Sequence, residues 1–394
     1  MRPLLSNLLA AVTIVLVAGP VPASSTSGHQ AEHARALRPA APHMAAHRAG
    51  LGALLSTKDG GDIDGFDVDQ SGSDAVLSSS GSIEIFDQKS GKVLTTYTPP
   101  YGRKNSYGID GIFFGDVALV TRYHVPKGTI YATRTYDTMN PVTAGTFSGA
   151  WTPPIEDLSI LQSAENQTTS TSVLYAIELK NQDKPDLLVS DIAANTIELF
   201  HLDPNDFSLG GGPQQAQDLA ANKAVIAYSP DGGAVGGEAP INALIDVTTG
   251  KVTRFTGLNE GPYGAGDVNG IAVDPNTGIA ATTTELNAQV EFYDLKKQAG
   301  TAVQLPCTGS GDQGNSGAGI AADPVHKLFL VTEASYGCNG NTSAIVVYDE
   351  HGNEIEAISG FDFYTAEPRP AINPSERRGW VFGPGLNQLQ QFFY

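Results

Sequence analysis

Four acidic residues recur at near-constant spacing. Asp191, Glu238, Glu285 and Glu333 lie 47, 47 and 48 residues apart. Asp64, Asp110, Asp267 and Asn269 sit near the starts of short apolar runs, and Arg122 and Arg369 bring positive charge to comparable positions. Carboxylate and amide oxygens gathered in one place are what a hard cation such as Ca²⁺ requires. Without a cation, their mutual repulsion raises pKa values. His124 follows Arg122 by two residues and is the histidine best suited to proton transfer. These residues admit three readings. In the first, Asp64, Asp110, Asp191, Glu238 and Arg369 line a ligand-binding face. In the second, Asn269, Asp267, Glu285 and Glu333 surround Ca²⁺, and Arg122 or His124 handles the proton or the oxyanion. In the third, the acids only solvate strand ends and cap loops.

Other signals are weaker. Cys307 and Cys338 are the two cysteines, and in an oxidising compartment a disulfide is the default. Closing a loop of about 30 residues contributes roughly 3 kcal/mol by chain entropy. Asp67-Val-Asp-Gln-Ser-Gly-Ser-Asp74 resembles the first half of a calcium loop, but Ser78 stands where a bidentate Glu is needed, so a turn is expected. Asn166 and Asn341 open glycosylation sequons. Gly210-Gly-Gly-Pro precedes no helical pattern and reads as a loop. His201, His326 and His351 are scattered over different units. No Ser-His-Asp set follows from spacing.

The elements that must position these groups are strands. Beyond residue 60 the chain reads as short β-rich runs broken by Gly, Asn, Asp and Pro turns. One unit recurs: a strand ending in Asp-Pro or a similar turn, a second strand, a loop, a third strand ending in aromatic-Asp, and a fourth strand. The clearest copies begin Asn269-Gly-Ile-Ala-Val-Asp-Pro and Gly319-Ile-Ala-Ala-Asp-Pro. Six units start near residues 62, 106, 172, 220, 267 and 316. The last residues supply three further strands, and Leu51 to Thr57 supplies the missing outer one. Four short strands every 40–50 residues mark a β-propeller blade. The fold class expected is therefore all-β, a propeller of seven four-stranded blades closed by N- and C-terminal strands. Six blades with an irregular closing sheet is the alternative. Residues 148–171 fit no unit and are expected to form an insertion loop.

A meander fixes directions. The start of strand one, the end of strand two, and the two–three and four–one connections share one face. The recurring acids are expected to close second strands there, and both cysteines fall in its connections.

The units Asn269 to Asp294 and Gly319 to Asp349 resemble repeats of the YVTN/NHL-type propellers, which include gluconolactonase-like and virginiamycin-B-lyase-like proteins. The resemblance covers most of residues 60–394. In gluconolactonase-like propellers an Asn-Gly opening a blade and an acid ending the next strand hold a central Ca²⁺. Asn269-Gly270 and Glu285 match that pattern, whereas the sixth unit has Gly317-Ala318-Gly319 at the Asn-Gly position. The resemblance thus implies a lactonase-type hydrolase or a lyase as the enzyme alternative to a binding scaffold.

Composition narrows the partners. Lys plus Arg number 23 against 42 Asp plus Glu, a net charge of −19, which opposes binding to nucleic acid or to anionic lipid. Hydrophobic content of 41% with 16% charge is that of a globular domain. Met1-Arg2, the apolar run from Leu4 to Ala18 and Val21-Pro-Ala23 read as a signal peptide cleaved after Ala23. Residues 24–50 read as a disordered Ala/His/Pro-rich leader, and 51–394 as one propeller domain. The expected protein is secreted or periplasmic, monomeric and without a membrane span. Its partner is a small molecule or an extracellular protein. A structural cell-surface role is a third class, carried by the Ala/Pro leader.

Overall fold

Runs rich in Val, Ile, Ala, Thr and aromatics, bounded by Asp and Gly, fold here as strands, and every described element is one. A computed structural model describes the backbone of residues 49–394 except 71, 80, 98–105, 115–116, 125–128, 138–148, 152–157, 167–170, 179–184, 192–195, 202–214, 221–222, 229–240, 256–267, 285–288, 306–316, 334–342, 362–369, 384 and 386. Between 98 and 243, side chains are described only at Val189, Glu198, Phe200, His201 and 223–225. Those of 255, 268–269, 284 and 317–318 also lie outside the description. The expected signal peptide and most of the leader fall outside it as well. Among the described residues no helix is long and apolar enough to cross a membrane.

The strands form seven antiparallel four-stranded sheets. The first strand, β1 (Gly50–Ser56), belongs to the last sheet. Sheet one contains β2 (Ile63–Val68), β3 (Asp74–Ser79), β4 (Ile83–Asp87) and β5 (Val93–Tyr97). Sheet two contains β6 (Ser106–Phe114), β7 (Val117–His124), β8 (Thr129–Asp137) and β9 (Gly149–Trp151). Sheet three contains β10 (Leu158–Asn166), β11 (Thr171–Glu178), β12 (Pro185–Asp191) and β13 (Thr196–His201). Sheet four contains β14 (Gln215–Ala220), β15 (Lys223–Tyr228), β16 (Ile241–Asp246) and β17 (Val252–Phe255). Sheet five contains β18 (Val268–Asp274), β19 (Ile279–Thr284), β20 (Gln289–Asp294) and β21 (Ala299–Gln304). Sheet six contains β22 (Gly317–Asp323), β23 (Leu328–Glu333), β24 (Ser343–Asp349) and β25 (Glu354–Phe361). Sheet seven contains β26 (Ala371–Asn373), β27 (Arg378–Phe382), β28 (Gln388–Phe393) and then β1, which pairs antiparallel with β28.

The expected insertion at 148–171 does not exist. β9 is the outer strand of sheet two, and β10 is the first strand of sheet three. Sheet three therefore starts at Leu158 rather than near 172, and each later strand in it moves up one place. Asp191 closes the third strand, not the second, and His201 ends the fourth. The physical reason is that Leu158–Asn166 (LSILQSAEN) carries neither the Asp-Pro turn nor the small apolar residues that mark other first strands. Its pairing with β11 decides the structure instead.

Apolar cores lie between sheets. Ala272, Ala281, Val290 and Phe292 of sheet five pack on Ile320, Phe329, Val331 and Val346 of sheet six. The opposite face of sheet six, with Leu330, Ile345 and Val347, packs on Val381, Phe392 and Tyr394 of sheet seven. Successive residues of a strand face opposite sides, so a sheet with a neighbour on each side buries every residue of its central strands. β23 is buried throughout, as its unbroken apolar run LFLVT requires. Edge-to-face aromatic pairs cross the seams: Phe292–Phe329 at 5.6 Å and Phe86–Trp380 at 5.2 Å. Each contributes about 0.5–1.5 kcal/mol beyond its buried area.

The seam between sheets seven and one joins the two ends of the described chain and is polar at its centre. Gln88 donates to the carbonyls of Asp69 and Asp74 at 2.8 and 2.7 Å. The Gln88 carbonyl in turn accepts from Trp380 Nε1 and Gln391 Nε2 at 3.1 and 2.6 Å. Gln391 Oε1 accepts from the Ala53 amide on β1 at 3.0 Å. Buried amides bonded on both sides in this way fix one register between the sheets.

Candidate functional site

Each sheet has two ends. The upper end carries the start of its first strand, the end of its second, and the connection from second to third. Tight Asp-x-x-x-Gly turns hold the lower end. There Asp246, Asp274, Asp294 and Asp323 each accept, through Oδ1, the amides two and three residues on. The fifth residue has positive φ, and it is Gly at 91, 250 and 278, Gln at 298, Lys at 327 and Arg at 377. A large share of the acidic surplus thus holds turns. Asp69 opens the hairpin turn between β2 and β3, its amide donating to the Asp74 carbonyl at 3.0 Å, as expected from the sequence.

At the upper end the first strand is interrupted by a β-bulge in five sheets. The registers shift between Ile63 and Gly65, Gly108 and Asp110, Ile160 and Gln162, Val268 and Gly270, and Gly317 and Ile320. Asp64 and Asn269 are the extra residues in their strands. The two therefore occupy equivalent backbone positions in their sheets. Neither motif nor spacing could reveal this, because the shift exists only in strand pairing.

The remaining predicted residues scatter more widely. Asp110 follows the bulge of β6. Arg122 and His124 lie two apart near the end of β7, where their neighbours across β6 are Gly108 and Ser106. Asp191, closing β12, lies at the lower end, opposite to the end expected. Asp267 directly precedes β18 and Glu285 directly follows β19, but both fall outside the described residues, as do Glu238, Arg369, Cys307 and Cys338.

Glu333 closes β23 as expected. It is wholly buried, and its Oε1 accepts from the Tyr348 hydroxyl at 2.9 Å. Phe329 and Val331, on the same side of β23, belong to the core shared with sheet five, so the carboxylate lies against that seam. The residue matching it in sheet five is Thr284, which pairs with Val268 as Glu333 pairs with Gly317. The even spacing of the four acids therefore does not correspond to equivalent places. Glu333 does not fit a cation held at the mouth of the sheets, and among the described residues no group of three or more His, Cys, Asp or Glu could hold a metal.

The upper end of sheet one is described almost completely and shows a cluster that the sequence reading did not single out. Ser79 Oγ donates to Asp59 at 3.1 Å and lies 3.1 Å from Ser82 Oγ, which donates to Glu84 Oε1 at 3.0 Å. Glu84 Oε1 also accepts the Lys58 amide at 2.8 Å, and Asp59 accepts the Gly61 amide at 2.9 Å. The cluster clamps the link from β1 to β2 onto sheet one. A shallow groove of about 620 Å³ runs beside it, lined by Ser56, Lys58 and residues 93–96 of β5.

Solved structures place this geometry. No model of a known protein family matches the sequence, and no curated protein does. The U3-55K structure aligns over 87% of this chain and 98% of its own, with a TM-score of 0.60 and 12% identity. Raptor from Chaetomium thermophilum aligns over 86% of this chain with a TM-score of 0.55 and 12% identity. This chain spans 28% of the length of Raptor. In both, the matched region is a WD40-like propeller. The fold is of the β-propeller kind. Matching chains of solved structures number 894, so the likeness specifies an architecture rather than an activity.

Proposed function

We propose that this chain is an exported seven-bladed propeller that binds a small ligand or a protein partner through its upper face. Ring closure is supported by neighbouring first strands. β2 packs beside β6, β10 beside β6 and β14, β18 beside β14 and β22, and β26 beside both β22 and β2. In that arrangement β1 closes the last blade alongside β28, much as YVTN/NHL-type repeats would be joined. The apolar N-terminal segment supports export.

The observation that carries the binding reading is the asymmetry of the connections. At the lower end, four residues join Asp274 to Ile279, Asp323 to Leu328 and Asn373 to Arg378. At the upper end, 12 residues separate Tyr228 from Ile241, Phe255 from Val268, and Gln304 from Gly317, and 13 separate His201 from Gln215. One long lower connection, 138–148, breaks the pattern. Long connections on a rigid scaffold are where recognition residues are carried. The net charge of −19 favours a cationic or polar partner over an anionic one.

Photo-crosslinking residues placed in 229–240 and 256–267 are expected to capture the partner from culture supernatant, and residues placed at Lys296 or Ser375 are not. Equal capture from both ends removes the upper-face assignment. The alternative is a Ca²⁺-assisted lactone hydrolase or lyase, which draws on Asn269, Asp267, Glu285 and Glu333 as read from the sequence. It requires turnover of a lactone panel that Glu285→Gln abolishes, together with a melting temperature lowered by chelator. Turnover lost in that way would replace the scaffold reading.

A further inference from the structure

Two seams show one recurring contact, and a third brings the equivalent residues to the same place. The residue that opens the lower turn between the first and second strands reaches across to the residue that follows the third strand of the next sheet. Between sheets seven and one, Asn373 Nδ2 donates to Gln88 Oε1 at 3.1 Å. Between sheets six and seven, the Tyr394 hydroxyl donates to Asp323 Oδ2 at 3.0 Å. Between sheets five and six the corresponding residues are Asp274 and Glu350. Two carboxylates cannot bond unless something stands between them.

The local bonding leaves an oxygen of each unsatisfied. Asp274 is 1% exposed, and its Oδ1 accepts the Asn276 and Thr277 amides at 2.8 and 3.4 Å. Its Oδ2 and the Oε1 of Glu350 are buried with no hydrogen-bond partner. A buried carboxylate oxygen without a partner costs several times more than an exposed one. Charged groups on the surrounding turns are committed elsewhere or exposed. Lys297 pairs with Asp294 at 2.8 Å and His326 with Asp323 at 2.8 Å. Lys296, Lys327 and His351 are exposed, and Asp349 accepts the His351 and Asn353 amides. The two turns themselves touch, because Asn276 Nδ2 donates to the Pro324 carbonyl at 3.1 Å.

We propose that Asp274 holds a proton and donates it to Glu350 across the seam between sheets five and six, making this seam pH-sensitive. In acid, one proton taken from water joins Oδ2 to Oε1 as an O–H···O⁻ bond. As pH rises the proton returns to water, and two carboxylates are left facing each other. Burial, and then the charge of Glu350, hold the Asp274 carboxyl above its ordinary range against the two amide bonds that lower it. A group raised in the folded state adds stability that is complete below its unfolded value and is lost as pH rises through the folded one. The seam is therefore tightest in acid and loosens as pH rises through the folded-state value of Asp274. A bridging proton fits better than a cation here, since two carboxylates with one oxygen each free fall short of the six to eight oxygens that Ca²⁺ takes.

The test uses the molecule's own alternative. Glu350→Gln and Asp274→Asn, together, recreate the Asn–Gln pair of the seam between sheets seven and one. Melting of the full chain is compared with wild type from about pH 3 to about pH 8. The double variant is expected to melt higher by at least about 3 °C at the alkaline end, with the difference shrinking to nothing at the acid end. Taking the difference cancels every other titrating group. Glu350→Gln alone is expected to behave likewise, which keeps the test open if the double variant folds poorly. A difference independent of pH overturns the proposal. So does a Ca²⁺-induced rise in wild-type melting at the alkaline end that Glu350→Gln removes, because a cation then occupies the gap.

Discussion

Aspartate performs distinct tasks in this chain according to what its carboxylate meets beyond the turn amides. In Asp87 the Ser90 hydroxyl donates at 2.6 Å and, with the backbone amides, holds the carboxyl below its ordinary range. Such a group contributes stability above its unfolded pKa and loses it as pH falls through the folded one. Ser90→Ala is therefore expected to lower the melting temperature at neutral pH and to match wild type in strong acid, measured as melting temperature against pH. In Asp323 the second oxygen meets His326 and the buried Tyr394 hydroxyl. Burial and the adjacent carboxylate push that phenol far above its usual range, so it stays a neutral donor. Tyr394→Phe removes the donor but not the ring, which lies under the Arg377 guanidinium at 5.5 Å. A loss of about 1–3 kcal/mol is expected in urea unfolding, with an unchanged m-value. These roles were legible in part. The Asp-Pro motifs at Asp274 and Asp323 read as turns, but nothing in spacing could tell a turn acid from one that also bonds the next sheet.

At the scale of elements, the turns separate backbone demand from space. Gly278 and Gly352 both have positive φ, at 76° and 78°. A Cβ on Gly278 would meet only Lys296 Cε at 3.7 Å, whereas on Gly352 it would meet Val303 Cγ2 at 2.7 Å and the Phe292 ring at 3.0 Å. Gly278→Ala is expected to cost about 1 kcal/mol from the backbone alone. Gly352→Ala should cost about 2–3 kcal/mol more, because the core between sheets five and six must shift. Chemical denaturation of the two variants checks the order, and equal losses would mean that the core yields. The repeat grammar placed most strands because Asp and Gly punctuate them. It failed at β9 and β10, where the punctuation is missing and partners distant in sequence impose the strand. Deleting residues 158–166 should therefore abolish folding, as judged by far-UV circular dichroism, where loss of a loop would be tolerated.

At the scale of the molecule, the decisive feature is how β1 meets β28. Leu55 and Leu389 are buried with Trp380, Phe86 and Leu77 in one core that spans sheets seven and one. Leu51 and Leu54, by contrast, stay 42% and 50% exposed on the outer side. β1 thus contributes an antiparallel pairing with β28, broken by a bulge between Leu51 and Leu54, and one buried leucine, with little other core. The sequence made this strand readable only by subtraction, since three C-terminal strands lacked a fourth, and it offered no sign of the Gln88, Gln391 and Ala53 bonds that fix its register. If the ring closes as proposed, removing β1 exposes the edge of β28 and unbolts Gln391 without emptying the core. A chain starting at Thr57 is expected to remain folded but to melt several degrees lower. It should also associate through the freed edge, because an unpaired strand templates pairing with another chain. A chain starting at Ala49 should do neither. Light scattering alongside thermal melting separates the cases: a monomeric Thr57 chain with wild-type stability would mean that β1 is ornamental and that the three strands of sheet seven close the molecule by themselves.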